Sequence, residues 1–379
     1  MSSPRFPRDH ASMTRAVSRT SASQDLIEAC VPPFEPPAWL RSSHAQTVAG
    51  RYLVNGDSRL EATAHEVKLE DGDRLCVLES VPGGWSLADP AAVLVHGLAG
   101  CARSPYIVRF ARRLVRLGIR VVRMNLRGAG AGFGLARGLY HAGRSDDLRS
   151  VIDWVSRRAP GSPIALAGFS LGASLALKVA AEAADQPVNG LDCVLAANPP
   201  IDLSACAEAM RRPENRLYNW NFVRWLRAEV TRLHRVFPEL GPPGLQQVRS
   251  VYEFDDRYTA PRNGFASALD YYARSSALPL IPRIRLPGLV VHAADDPFVP
   301  AAPFHKVRFP ANLSLELVRQ GGHLGYISRV PWQGDRRWLE TRMAVWLAGR
   351  WRISAVHLDI ASSSRDRARP NLGACNRDA

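Results

Sequence analysis

Three side chains of this chain have the types and order needed to make a hydroxyl nucleophilic: Ser170, Asp296 and His323. Ser170 stands in Gly168-Phe169-Ser170-Leu171-Gly172, a Gly-x-Ser-x-Gly spelling. The apolar run at 164–167 suits a buried strand, and the Ala- and Leu-rich stretch at 171–184 suits a helix. A serine at such a junction occupies a sharp, strained turn that lifts its hydroxyl clear of the sheet, and small flanking residues let the backbones pass. Alone, the spelling is common by chance. It gains weight from an acid and a histidine downstream, in that order. A short apolar run at 289–293 leads into Asp295-Asp296-Pro297-Phe298-Val299-Pro300, and a strand-like segment at 314–318 leads to Gly321-Gly322-His323. The chemistry needs each type. A serine hydroxyl is a poor nucleophile at neutral pH, so a neutral imidazole must take its proton and return it to the leaving group. A buried carboxylate holds that imidazole in the right tautomer.

Asp295 competes with Asp296 for the acid role. An acid followed by Pro, an apolar pair and a second Pro favours Asp296, leaving Asp295 to cap the turn or bond to backbone. Attack on an ester carbonyl also creates an alkoxide that needs hydrogen-bond donors already in place. The backbone N–H of Leu171, just after the nucleophile, is one candidate. The second comes from the loop after the strand-like run 91–95, which ends in His96-Gly97-Leu98-Ala99-Gly100 and points to the N–H of Leu98. His96 itself reads as a loop brace rather than a reacting group.

These groups need a scaffold. Strand-like runs at 74–79, 91–95, 119–124, 164–167, 191–196, 289–293 and 314–318 alternate with helical stretches at 106–117, 146–158, 171–184 and 336–351. Such alternation predicts an α/β fold, a mostly parallel sheet covered by helices on both faces. Ser170, His96 and Asp296 each follow a strand, where functional groups of open α/β sheets belong. The alternation breaks at Asn198-Pro199-Pro200. Residues 199–286 are expected to form an inserted lid, with an amphipathic helix at 221–234 whose Val223, Leu226, Val230 and Leu233 share one side. Most aromatics of this insertion should pack it onto the body, and a few should face the pocket.

Lysine and arginine outnumber the acids, for a formal net charge of +14 among 379 residues. The excess is spread along the chain and no nucleic-acid module is recognisable, so a solvated basic surface is expected, with weak attraction to anionic membrane as its one lipid-related consequence. No run of about 18 apolar residues exists to span a bilayer. The six cysteines show no paired or zinc-type spacing. Without a secretory h-region, reduced thiols in a cytoplasm are the simplest expectation. No metal and no cofactor is expected. Residues 1–30 read as a disordered extension, 31–361 as the folded domain and 362–379 as a flexible tail. Oligomeric state leaves no mark on the sequence.

With these residues in view, the chain resembles the YheT-like branch of the α/β-hydrolases from about Pro33 to Trp346. The resemblance rests on the triad and on Ser43-His44-Ala45-Gln46-Thr47, His96-Gly97-Leu98, Asn125-Leu126-Arg127-Gly128, Tyr140-His141-Ala142-Gly143, Phe254-Asp255-Asp256, Asp270-Tyr271-Tyr272 and Asp295-Asp296-Pro297-Phe298. It implies hydrolysis of short- to medium-chain acyl esters, a small-molecule substrate class, with some relatives acting on glycerolipids or passing the acyl group to an alcohol. The residues alone argue acyl transfer through a serine. A binding module on the same fold would need no complete triad, which counts against that reading. Tyr140 and His141 fall in the loop after the 119–124 strand, as substrate contacts or loop braces. There are two departures from the family spelling. Ala173 replaces a glycine after the elbow, a sterically mild change. Arg127-Gly128-Ala129-Gly130 differs in a loop expected to form part of the pocket floor.

Overall fold

Neighbouring residues of the central strands feed opposite faces of one sheet, which is why those strands read as unbroken apolar runs. In β3 (Ala91–Val95), Ala91, Val93 and Val95 join one core while Ala92 and Leu94 join the other. In β5 (Ile164–Phe169), Ile164 and Leu166 face the first core and Ala165, Ala167 and Phe169 the second. The computed structural model describes residues 31–53, 60–332 and 335–353. The expected N-terminal extension 1–30 and tail 362–379 lie outside them.

The sheet is completed by β1 (Thr63–Lys68), β2 (Arg74–Ser80), β4 (Arg120–Met124), β6 (Leu191–Ala197), β7 (Gly288–Ala293) and β8 (Leu313–Val318), in the order β1-β2-β4-β3-β5-β6-β7-β8. β1 and β2 pair antiparallel, β2 and β4 antiparallel, and every later pair is parallel. The expected α/β sheet is therefore present. β1 had no sequence signature because it is a half-exposed edge: of its residues only Val67 is buried. A two-stranded ribbon, β9 (Ile327–Trp332) with β10 (Asp335–Arg337), was also not anticipated. It takes the first residues of the expected 336–351 helix.

Helices cover both faces. α3 (Ser145–Arg158) and α4 (Leu171–Glu182) pack on the first core, and α2 (Pro105–Arg116) and α8 (Trp338–Arg350) on the second. α1 (Ser43–Tyr52) lies against the β9 segment. Between β6 and β7 the chain leaves the sheet for a helical insertion built on α5 (Leu203–Arg211), α6 (Arg216–Val236) and α7 (Ala268–Ser275). Val223, Leu226, Val230 and Leu233 are all buried along one side of α6, and the helix runs further at both ends than its apolar pattern marked.

The loop after β4 is held by charge. Arg127 forms a two-pronged pair with Asp147 at 2.7 Å on each side, and further contacts to Asp71 and Asp73 at 2.6 Å. Removing one partner of such a buried pair leaves an uncompensated charge, a loss of about 3–5 kcal/mol. Asn125 adds two bonds, accepting from the Ala102 N–H at 2.9 Å and donating to the Cys76 carbonyl at 3.1 Å.

Candidate active site

Ser170 is the turn between β5 and α4. Its φ is 53° and its ψ −123°, a conformation that costs an L-residue about 1–3 kcal/mol and persists only where surroundings enforce it. Here its N–H donates to the Ala197 carbonyl at 2.8 Å, and its own carbonyl accepts from Ala173 and Ser174 at 2.8 and 3.2 Å. Close backbone contact requires glycine on either side. A Cβ on Gly168 would lie 2.2 Å from the Gly172 carbonyl oxygen, and one on Gly172 2.5 Å from that of Val95. Ala173 fits, fully buried, in the first turn of α4.

Asp296 follows β7 and is enclosed. Its Oδ1 accepts from the N–H groups of Phe298 and Val299 at 2.9 and 3.1 Å. Its Oδ2 accepts from the Asn198 amide at 2.6 Å and from His323 Nδ1 at 2.7 Å. Burial pushes this carboxyl up, but the His323 ring and the hydrogen bonds outweigh it and hold the group below its ordinary value. With Nδ1–H committed to Asp296, His323 Nε2 is left as the acceptor for the Ser170 hydroxyl, 2.9 Å away. Three side chains distant in sequence thus form one hydrogen-bonded line.

The loop carrying His323 is gripped by residues whose roles the sequence did not disclose. The His323 N–H donates to Thr47 Oγ1 at 2.9 Å. The Gln46 amide, fully buried, clasps Ile327 by donating to its carbonyl at 3.1 Å and accepting its N–H at 2.9 Å. The Tyr326 hydroxyl donates to Asn198 Oδ1 at 2.7 Å, so Asn198 bridges the acid and the histidine loop. Asn198 has a φ of 47°, a left-handed value that Asn tolerates better than most residues. The Asn-Pro-Pro break marked this position without disclosing its use. Asp295 accepts the Gly322 N–H at 2.9 Å and so bonds to backbone.

The other candidates are placed as follows. Leu98 and Leu171 flank Ser170 on the wall of one cavity, and among the described residues neither N–H has a protein acceptor. His96 is fully buried, donates from Nδ1 to the Gly97 carbonyl at 2.8 Å and accepts the Leu126 N–H on Nε2 at 3.1 Å. Burial depresses its pKa to about 4, so it stays neutral. Tyr140 accepts the Ala99 N–H at 3.0 Å. His141 accepts the Gly143 N–H on Nδ1 at 3.1 Å and packs edge-on against Phe265 and Tyr271, each 5.7 Å away. Both Tyr140 and His141 border the cavity.

That cavity, about 150 Å³, opens at Ser170 and His323. Its wall is mainly apolar, with Leu203, Met210, Phe222, Leu226, Phe298 and Val299 prominent, and it carries a polar end at Asp255. Asp255 accepts from Thr259 and Tyr272 hydroxyls, both at 2.8 Å, and burial raises its pKa to about 6. Of the insertion's aromatics, Phe222, Phe254, Tyr271 and Tyr272 reach the cavity, while Trp225, Tyr252 and Phe265 pack against the first core without lining the cavity. The expectation that residues 127–130 floor the pocket is not met. None of them lines it, because Arg127 is drawn away by its three carboxylates.

The sequence profile of the alpha/beta hydrolase fold matches residues 90–330. YheT of Escherichia coli (strain K12), named as an esterase, is 32% identical over 319 residues, 83% of this chain and 92% of its own. The chain is an α/β-hydrolase. It stands in the YheT-like branch of that family. Phospholipase ABHD3 of Mus musculus is 26% identical over 316 residues, 81% of this chain and 76% of its own. An esterase of Pyrococcus furiosus shares the fold with a TM-score of 0.52 at 18% identity, over 84% of this chain and 98% of its own. Among the described residues of this α/β-hydrolase, no helix is long and apolar enough to cross a membrane.

Proposed function

We propose that this α/β-hydrolase is a serine carboxylic ester hydrolase acting on short- to medium-chain acyl esters. The observation that carries the reading is the line Asp296–His323–Ser170, bonded at 2.7 and 2.9 Å and opening on an apolar cavity. Ser170 Oγ attacks the ester carbonyl carbon while His323 Nε2 takes its proton. The alkoxide that develops is met by the N–H groups of Leu98 and Leu171. The C–O bond to the alcohol then breaks, and the alcohol leaves with the proton from His323, giving an acyl-enzyme on Ser170. Water, deprotonated by His323, releases the acid. Asp296 keeps the ring oriented and stabilises its cationic form. The cavity, about 150 Å³, is below the usual range of about 300–1,000 Å³ for ligand pockets, which supports a short acyl group. The helical insertion, whose α6 supplies Phe222 and Leu226 to the wall, acts as the lid.

Labelling with a fluorophosphonate tests the activated serine. Wild type should label and Ser170→Ala should not, and turnover of a butyrate or octanoate nitrophenyl ester should fall by at least about a thousandfold in Ser170→Ala. Equal turnover by both proteins would end the reading. Recovery of an ethyl ester in the presence of ethanol would assign the acyl group to transfer rather than hydrolysis.

A further inference from the structure

We propose that the outward face of α6 is a docking surface for an anionic phospholipid bilayer. α6 spans 21 residues and is two-sided. Its inner side is consumed by the core and the cavity. Its outer side exposes Arg216, Arg224, Arg227, Arg232 and Arg235 and no acid, because the helix's single carboxylate, Glu229, is turned inward and buried. Among the described residues none of these five guanidiniums joins an ion pair, although ion pairs elsewhere on the surface are common. Two large apolar side chains stand among them, Leu217 at 80% exposure and Trp220 at 60%. Arg224 lies over the Trp220 ring at 5.1 Å.

The apolar surface continues onto α1. His44 stacks on Tyr218 with ring centres 5.6 Å apart, and Val48 and Tyr52, one and two turns further along the His44 side of α1, are exposed. An exposed Leu–Trp pair ringed by arginines matches a lipid headgroup layer. The aromatic and aliphatic groups enter the acyl boundary while the long basic side chains remain with the phosphates. A nucleic acid would answer the arginines but offers no apolar phase for Leu217. Each arginine near an anionic leaflet strengthens association roughly fivefold, and salt screens the effect. Docked this way, the roof of the cavity would face the layer from which an acyl ester is drawn. The surface does not depend on the reaction at Ser170.

Flotation of the full-length protein with vesicles tests it. Wild type should float with phosphatidylcholine–phosphatidylglycerol vesicles, be released by high salt, and stay down with phosphatidylcholine alone. Arg224→Glu with Arg227→Glu should weaken binding at least about tenfold. Leu217→Ser with Trp220→Ser, which leaves the charge untouched, should weaken it about fivefold or more. A charge-matched control on other elements, Arg157→Glu with Arg308→Glu, should change it less than about twofold. Melting temperatures within a few degrees of wild type confirm that each variant is folded. The proposal is overturned if wild type ignores anionic vesicles, if the control weakens binding as much as the α6 reversal, or if the serine variants bind as well as wild type. It is equally overturned if duplex DNA binds the same arginines as tightly as the vesicles do.

Discussion

Asp295 and Asp296 are adjacent, chemically identical and differently used. Asp296 has both oxygens filled, two bonds from backbone and two from Asn198 and His323. Asp295 holds the Gly322 N–H, and burial raises its pKa. An amide in place of Asp296 presents a donor where the His323 tautomer needs an acceptor. Asp296→Asn should therefore lower kcat by about ten-thousandfold. Asp295→Asn retains an oxygen for Gly322 and should stay within about tenfold of wild type. Turnover of one nitrophenyl ester by both variants decides between them. A larger loss in Asp295→Asn would reverse the roles.

α1 is remote in sequence from Ser170, Asp296 and His323, yet it holds the backbone of one of them. Thr47 receives the His323 N–H, and Gln46 satisfies both backbone groups of Ile327 in a buried setting. Gln46→Ala would strand that N–H and carbonyl, at about 1–3 kcal/mol for each unsatisfied group. It should lower the melting temperature and reduce kcat more than it raises KM, because the loop that carries His323, the proposed base, is loosened while the cavity wall is intact. Paired thermal unfolding and steady-state kinetics test this. Unchanged kcat with a lowered melting temperature would show that the clasp serves folding alone.

Across the molecule, the join between insertion and body contains one unresolved electrostatic conflict. Glu229 of α6 is buried, its Oε2 has no hydrogen-bond partner among the described residues, and it borders a second cavity of about 230 Å³ beside the first. Burial raises its pKa from 4.5 to about 8. A carboxyl whose folded value is raised contributes stability fully present below the unfolded value. That stability is lost as pH climbs through the folded one. Glu229→Gln keeps the shape and removes the charge. Relative to wild type it should gain on the order of a few kcal/mol above about pH 8 and show little difference near about pH 5. Thermal unfolding of both proteins across that range is the check. A difference that does not vary with pH would place the conflict elsewhere.

Much of this protein was written locally. Apolar runs announced seven of the sheet's eight strands, the six inner ones because strands buried on both faces cannot be polar, and the Gly-x-Ser-x-Gly junction announced the elbow because only small residues fit there. The apolar stripe of α6 was likewise legible, since its period is that of a helix. The half-exposed edge strand β1 was silent, having one buried side chain to show. Tertiary structure alone decided which neighbours serve the site. Gln46, Thr47, Asn198 and Tyr326 act through one to three hydrogen bonds each to residues far along the chain, and a hydrogen bond between distant residues leaves no period or spacing behind. The same holds for Arg127, whose sequence position suggested the pocket and whose three carboxylate partners, two from the β1–β2 turn and one from α3, draw it elsewhere. Patterns set by one element's geometry can be recovered from the chain, whereas contacts made by the approach of several elements exist only once the chain has folded.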